Sequence, residues 1–247
     1  MLALIDADTP AFAGAVMAEG QDEQVAKWNT NAAIEKILAQ WNIKDFQLFI
    51  TGENNFRYKI YPEYKANRIN TPRPTYLEVC KQHLVDEWGG LLSDGCEADD
   101  LLGIEQTKYS EQGVESVIVS IDKDLDMIPG WHISPEIVHK GIVVKPGRKY
   151  LVSPQDALYF FYYQLLVGDT TDGIKGVKGI GPKKAKVILN QVIEDQTWEG
   201  SASCLPEAFY QTVLEYYSCE EELDMNAQVL YIHRIPNDNW KRIMKDG

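Results

Sequence analysis

Three short apolar runs constrain this chain more than any other feature: LALIDAD at 2–8, DFQLFITG at 45–52 and VESVIVSIDKDLDMI at 114–128. Runs of this length bounded by polar turns read as buried strands. The first and third end in carboxylates, and the second is expected to stop at Gly52. Helical spacing fills the gaps. Val25, Trp28, Ala32, Ala33, Ile34, Ile37, Leu38 and Trp41 predict a helix over 23–41, another is entered at Thr75 and runs to 89, and GCEADDLLGIEQTKYSEQG opens with acids before turning helical. The clearest strand core is Val117–Ile121. Strands alternating with helices give a mostly parallel α/β sheet, and open parallel sheets place their sites at the carboxyl ends of the strands. Beyond about residue 155 strand signals fade and helices dominate, which predicts a helical lobe. No internal repeat or low-complexity linker interrupts the chain.

Length and composition leave room for a real core: 247 residues, 45% hydrophobic, with 13 Tyr and 6 Trp. No apolar run approaches the roughly 20 residues of a membrane span, and MLALIDADTP meets acid too early for a signal peptide. The expectation is a protein without a membrane partner, in the cytoplasm (a host's, if phage-encoded). Cys80, Cys96, Cys204 and Cys219 have no C-x-x-C spacing, so neither a zinc site nor a disulfide framework is expected. A net charge of −13 argues at face value against a nucleic-acid partner. The charges are segregated, however: acids gather at 94–100, 122–126 and 220–224, bases at 57–73, 140–149 and 175–186. Arg73 closes the first basic run.

Candidate carboxylates are Asp6 with Asp8, then Glu97, Asp99 and Asp100, then Asp122 and Asp124, then Asp169 and Asp172. Gathered in one cleft they would repel and raise one another's pKa. Oxygen-only donors without His or Cys suit Mg²⁺ or Mn²⁺ rather than zinc, and two such ions about 4 Å apart suit phosphodiester hydrolysis. Plainer readings stand beside this one. Glu97, Asp99 and Asp100 also fit a helix N-terminus complementing the macrodipole, and Asp122 and Asp124 fit an ordinary turn after a strand.

The stretch GVKGIGPKKA fits the hairpin of a helix-hairpin-helix. Gly176, Gly179 and Gly181 allow positive φ and let backbone N–H groups approach a phosphate. Pro182 suits the first turn of the next helix, and Lys183, Lys184 and Lys186 add charge. Such a loop holds backbone phosphates without reading sequence. A Gly-rich turn with solvated lysines is the bland alternative, and a nucleotide-binding loop is disfavoured because neither G-x-G-x-x-G nor G-x-x-x-x-G-K-[ST] is present. Upstream, ENNFRYKIYPEYKANRINTPRPT is too long and polar for an ordinary connection.

Five blocks in order, LIDAD, NNFRYKIYPEYKANR, EADD, SIDKDLD and GDTTDGIKGVKGIGPKKA, span residues 4–185, followed by ELDMNAQVLYI. Together they resemble the structure-specific 5′-nuclease family, which includes flap endonucleases, phage 5′–3′ exonucleases and the 5′-nuclease domain of bacterial DNA polymerase I. The resemblance implies a PIN-like (resolvase-like) domain over 1–155 with an arch at about 53–85. It also implies a helical subdomain over 156–247 with a helix-hairpin-helix at about 165–190. It implies two Mg²⁺, with Mn²⁺ able to substitute, held by Asp6, Glu97, Asp99, Asp100, Asp122, Asp124, Asp169 and Asp172. Lys65 would reach the scissile phosphate, aided by Arg57 and Arg68. Duplex contacts would fall to Gly176, Gly179, Gly181, Lys183, Lys184 and Arg73, and K⁺ to the carbonyls of Leu166, Val167, Lys175, Val177 and Ile180. Phe56, Tyr58, Tyr61, Tyr64 and Tyr76 could stack unpaired bases or pack the arch's base. The implied activity is 5′–3′ exonuclease and flap cleavage on DNA 5′ ends, flaps and RNA–DNA primer junctions in replication, by a monomer.

Two departures stand out. Where the family commonly carries an Asp after the second strand, this chain has Ile50 and Thr51, leaving Glu53 or a water to substitute, and Lys175 replaces a hairpin proline. A DNA-binding member of the fold with little or no turnover, and a PIN-type ribonuclease, are the alternatives.

Overall fold

The computed structural model describes residues 1–139, 141–199 and 205–244. In chain order the elements are β1 (Leu2–Asp6), α1 (Asp8–Met17), α2 (Glu23–Gln40), β2 (Phe46–Glu53), α3 (Arg57–Ile60), α4 (Leu77–Trp88), β3 (Leu91–Asp94), α5 (Ala98–Glu111), β4 (Ser116–Val119), β5 (Gly130–Ser134), β6 (Ile137–His139), β7 (Ile142–Lys145), β8 (Arg148–Val152), α6 (Pro154–Val167), β9 (Gly168–Asp169), β10 (Ile174–Lys175), α7 (Pro182–Glu199), α8 (Leu205–Leu214) and α9 (Glu220–Leu230). They form two compact units. The first comprises Met1–Asn55, Pro72–Val152 and Arg234–Pro236; the second comprises Phe56–Thr71, Ser153–His233 and Asn237–Gly247. Residues 56–71, about half of the expected arch, thus pack with the second unit.

The first unit is built on a six-stranded sheet in the order β3-β2-β1-β4-β5-β8. Its first five strands are parallel and β8 closes one edge antiparallel to β5. Because β1 lies between β2 and β4, chain order reverses there, which is the switch point where ligands bind in such sheets. Alternate residues divide the two faces. Ala3, Ile5, Leu48, Ile50, Val117 and Val119 bury against Ala11, Ala15, Ala26, Ile34, Leu77, Cys80 and Leu84 of α1, α2 and α4. Leu4, Phe49 and Ile118 are buried on the other face, where α5 contacts β1, β2 and β4. Strands buried on both sides read as apolar runs rather than alternating ones, which is why β1, β2 and β4 were legible.

Several elements depart from expectation. Helix α1 was not anticipated: DTPAFAGAVM holds a Pro, a Gly and three Ala, and its burial comes from close packing rather than an amphipathic stripe. Strand β2 continues past Gly52 to Glu53 through a register shift. A side chain at 52 would meet the Ser93 carbonyl at 2.1 Å, so Gly52 admits β3 instead of ending β2. Helix α4 starts two residues after Thr75, whose N–H and hydroxyl donate to the Glu19 carboxylate. Strand β4 ends at Val119; Ser120 still donates its N–H to the Ile133 carbonyl of β5 while its hydroxyl bonds Asp6. Among the described residues no helix is long and apolar enough to cross a membrane, and Cys80, Cys96 and Cys219 form no disulfide. Cys204 lies outside the described residues.

The second unit is helical apart from the β9–β10 ribbon. Helix α6 begins where SPQD supplies a capping box: the Ser153 hydroxyl accepts from the Asp156 N–H, the Asp156 carboxylate accepts from Ser153, and Pro154 occupies the first turn. Phe161, Tyr162, Phe209, Val213, Leu223, Tyr231 and Trp240 form its buried centre. Trp240 Nε1 donates to Asp224 at 2.7 Å, so the indole is buried without an orphaned donor.

Candidate active site

In the first unit the carboxyl edge of the sheet carries a continuous polar network. Asp6, 7% exposed, accepts from the Ser120 hydroxyl at 2.8 Å and from the Asp8 N–H at 3.1 Å. That Asp6–Ser120 bond bridges β1 and the end of β4, across the switch point. The Ser120 hydroxyl accepts from the Asp122 N–H at 3.0 Å, and Asp122 accepts from the Asp124 N–H at 2.8 Å. Burial, then the Asp8 and Asp122 charges, push the Asp6 carboxyl up to about 7.

The EADD block is folded as a capping box: Glu97 caps α5 and its N–H donates to Asp100 Oδ2 at 3.0 Å, with Asp100 fully buried and Asp99 in the first turn. Asp122 in turn caps the short turn Lys123–Met127. The plain structural roles are therefore filled by the same acids that the metal reading uses. At the position of the expected Asp, the Thr51 hydroxyl accepts from the Ala98 N–H at 2.9 Å and its own N–H donates to Asp8 at 3.2 Å. Ile50 is wholly buried and Glu53 is exposed.

Among the described residues no group of three or more His, Cys, Asp or Glu stands as a ready-made metal cage. The donor chemistry nevertheless fits a hard divalent cation. Asp6 is a buried carboxylate facing two like charges, and Mg²⁺ keeps several waters and needs only one or two carboxylates besides substrate.

In the second unit the segment YPEYKANR clasps the turn GDTTDG. Asp172 accepts from the Tyr64 hydroxyl at 2.8 Å and from Arg68 Nη2 at 2.6 Å, with Lys65 Nζ at 3.6 Å. Lys65 donates its N–H to the Asp172 carbonyl at 2.8 Å, Asn67 reaches the Thr170 carbonyl, and Arg68 Nε reaches that of Thr171. Asp169 is buried and accepts from the Thr171 and Asp172 N–H groups, fixing the turn. Lys65 and Arg68 thus share a locus with Asp172. The Arg57 guanidinium, 2% exposed, donates to the carbonyls of Val229 and Tyr231 at 2.8 Å and anchors the end of α9. Of the arch aromatics, Phe56 stacks on His233, Tyr64 is buried, Tyr61 bonds Glu63, and Tyr58 is half-exposed. In the first unit Tyr76 bonds the Gln21 carbonyl.

The hairpin follows directly. Gly168 (φ +73°) and Gly176 press backbone on backbone: a side chain at 176 would meet the Val167 carbonyl carbon at 2.2 Å and one at 168 the Gly176 nitrogen at 2.2 Å. Gly176 therefore serves close packing, whereas Gly179 (φ +80°) and Gly181 have open space where a side chain would stand. Lys183 and Lys184 are exposed on the first turn of α7. Of the carbonyls suggested for K⁺, Leu166 accepts from Val177, Val177 from Ile180, and Lys175 from Asn226; Val167 and Ile180 flank the same turn. Arg73 belongs to the first unit and pairs with Glu78. Sequence reasoning passed over Ser120 and Lys81. Ser120 adjoins the acid pair, and Lys81 interrupts the apolar spacing of α4.

A family profile described as the 5′-3′ exonuclease N-terminal resolvase-like domain matches residues 5–133. The chain is 32% identical over 210 residues to a 5′-3′ exonuclease of Mycoplasma pneumoniae, covering 76% of this chain and 71% of that one. It is 31% identical over 150 residues to a 5′-3′ exonuclease of Buchnera aphidicola, covering 58% and 51%. It spans about half of the Buchnera protein and 17% of a matching DNA polymerase I. The fold is that of the bacteriophage T5 flap endonuclease, a structure solved with DNA and metal ions: TM-score 0.57, 17% identity, covering 99% and 97% of the two chains. With the resolvase-like sheet, its acid-lined edge and a relative matched over most of its length, the chain belongs to the 5′-3′ exonuclease family.

Proposed function

We propose that the protein is a divalent-metal-dependent 5′ nuclease that hydrolyses phosphodiesters of DNA at 5′ ends and flaps, including RNA–DNA primer junctions during replication. The observation that carries this reading is Asp6: a buried carboxyl at the switch point, raised to about 7 and facing Asp8 and Asp122, is a site that gains from a cation. Family membership supplies the phosphodiester.

Asp6, Glu97, Asp99, Asp100, Asp122 and Asp124 of the first unit, and Asp169 and Asp172 of the second, are the proposed ligands of two Mg²⁺ or Mn²⁺ ions. Such ions supply Lewis-acid polarisation of the phosphate and activation of water. The chain's own contributions are positional. Ser120 orients the Asp6 carboxylate, as partners of metal-binding groups do, and Lys65 and Arg68, held by Asp172, present positive charge to a phosphate. Gly179, Gly181, Lys183 and Lys184, with Gly176 shaping the turn, grip a duplex backbone a fixed distance along the chain from Asp172. Arg73 and K⁺ at the hairpin belong to the same proposal, as do a monomeric state and a cytoplasmic setting. Arg57, which also anchors the end of α9, stands beside Lys65 and Arg68 in that proposal.

The deciding experiment is cleavage of a 5′-labelled flap with Mg²⁺, with Mn²⁺ and with EDTA. Metal-dependent release of labelled product is expected; no release with either ion would refute the enzyme. An excess of unlabelled RNA hairpin should leave the flap signal standing, and strong competition would favour the ribonuclease reading.

A further inference from the structure

The buried residues of α4 are Leu77, Cys80 and Leu84, and Lys81 stands half-buried in the same helical period. Its side chain is 13% exposed. The ammonium lies 3.1 Å from Asp8 Oδ1 and donates to the Thr51 carbonyl at 2.6 Å. Both Asp8 oxygens also accept from the Thr51 N–H, each at 3.2 Å. Asp8 is two residues from Asp6 and contributes to the Asp6 shift, yet its carboxylate is committed to β2 and α4.

We propose that Lys81 is a resident cation of the sheet edge, holding Asp8 as its counter-ion and keeping that carboxylate out of the divalent-ion site around Asp6 and Asp122. The inference rests on the metal dependence proposed above. Its physical basis is the penalty for stranding a charge. A divalent ion that recruited Asp8 would leave a largely buried ammonium with only a carbonyl for company, and buried charges deprived of their partner are strongly unfavourable. Asp8 is thereby biased toward Lys81 while still adding negative potential near Asp6. Lys81 is a positioning residue: it touches neither the phosphate nor the metal, but selects which carboxylates are available to one.

The test is a Mn²⁺ titration of the DNA-free protein, counting free ion by electron paramagnetic resonance. Lys81→Met keeps the stem and removes the charge; Lys81→Gln also keeps a donor for the Thr51 carbonyl, so it carries the test if the Met variant does not fold. Both should bind Mn²⁺ about tenfold tighter, at the lower end of effects from groups around a metal. Lys81→Met with Asp8→Asn should return affinity to the wild-type level, and Lys81→Arg should leave it there. Unchanged or weaker Mn²⁺ binding in the Met and Gln variants, with wild-type circular dichroism, overturns the inference alone. A wild-type protein that binds no Mn²⁺ overturns the inference and the metal reading together.

Discussion

Asp6 and Asp172 are both proposed metal ligands, and their own units satisfy them in different ways. In the first unit Asp6 takes hydroxyl and amide donors, and burial raises its proton affinity. In the second unit Asp172 takes a tyrosine hydroxyl, a guanidinium and an ammonium from one eight-residue stretch. The first arrangement leaves a demand for an external cation; the second is neutralised by the chain's own bases. One unit thus carries an acid that gains from an ion, and the other folds its acid without one.

Breaking the comparison at its most demanding point should have the largest effect. Asp6→Asn removes the buried charge and is expected to reduce flap cleavage by at least about 100-fold, beyond the range for outer partners of metal ligands. The same variant should melt higher, by about 2–4 °C if the relief is worth about 1 kcal/mol. Kinetics and calorimetry on one preparation check both, and a fall in melting temperature would contradict the account of Asp6.

On the self-neutralised side, Arg57→Ala should cost about 3 kcal/mol in urea unfolding, because a buried guanidinium leaves two carbonyls behind. An Arg57→Lys variant that retained full stability would show that the two-carbonyl anchor is unimportant. Milder still, Lys183→Ala with Lys184→Ala should weaken duplex binding and reduce the log–log salt slope by about 1.8, roughly 0.9 for each phosphate that is no longer neutralised. Fluorescence anisotropy across a salt series measures it.

The smallest effect is pH-dependent and belongs to the first unit. Burial lowers the His132 pKa despite its Nε2 bond to the Ile128 carbonyl. A depressed histidine favours the native state above the unfolded pKa near 6.5, and that contribution is lost as pH falls below it, with a slope no steeper than about 1.4 kcal/mol per unit. Urea melts at pH 7.5 and pH 5 should converge in His132→Gln relative to wild type.

The parts legible in the sequence were those with a period or a motif. Strands buried on both faces announce themselves as apolar runs, and the acids at their ends were placed correctly on β1, after β4 and at the start of α5. The capping function of Glu97 and Asp100 was visible as a plain alternative, and the structure realises it. What stayed hidden depends on contacts distant in sequence. Nothing in FRYKI says that Arg57 will be sealed against Val229, 172 residues away. Nor does anything near residue 81 point to Asp8. The edge strands β3 and β8 were missed because short strands with exposed Leu91, Leu92 and Leu151 lack the apolar continuity of the interior ones.

The anchoring of Arg57 also bears on how the chain is made. Synthesis at about 5–20 residues per second separates Arg57 from the Val229 carbonyl by roughly 10–30 s. Throughout that interval the stretch 56–71 has emerged without the helix that holds it, although the strands on either side can already pair. The second unit cannot close until its last helix is out, so a nascent chain should stay protease-sensitive at 56–71 long after its sheet has become resistant.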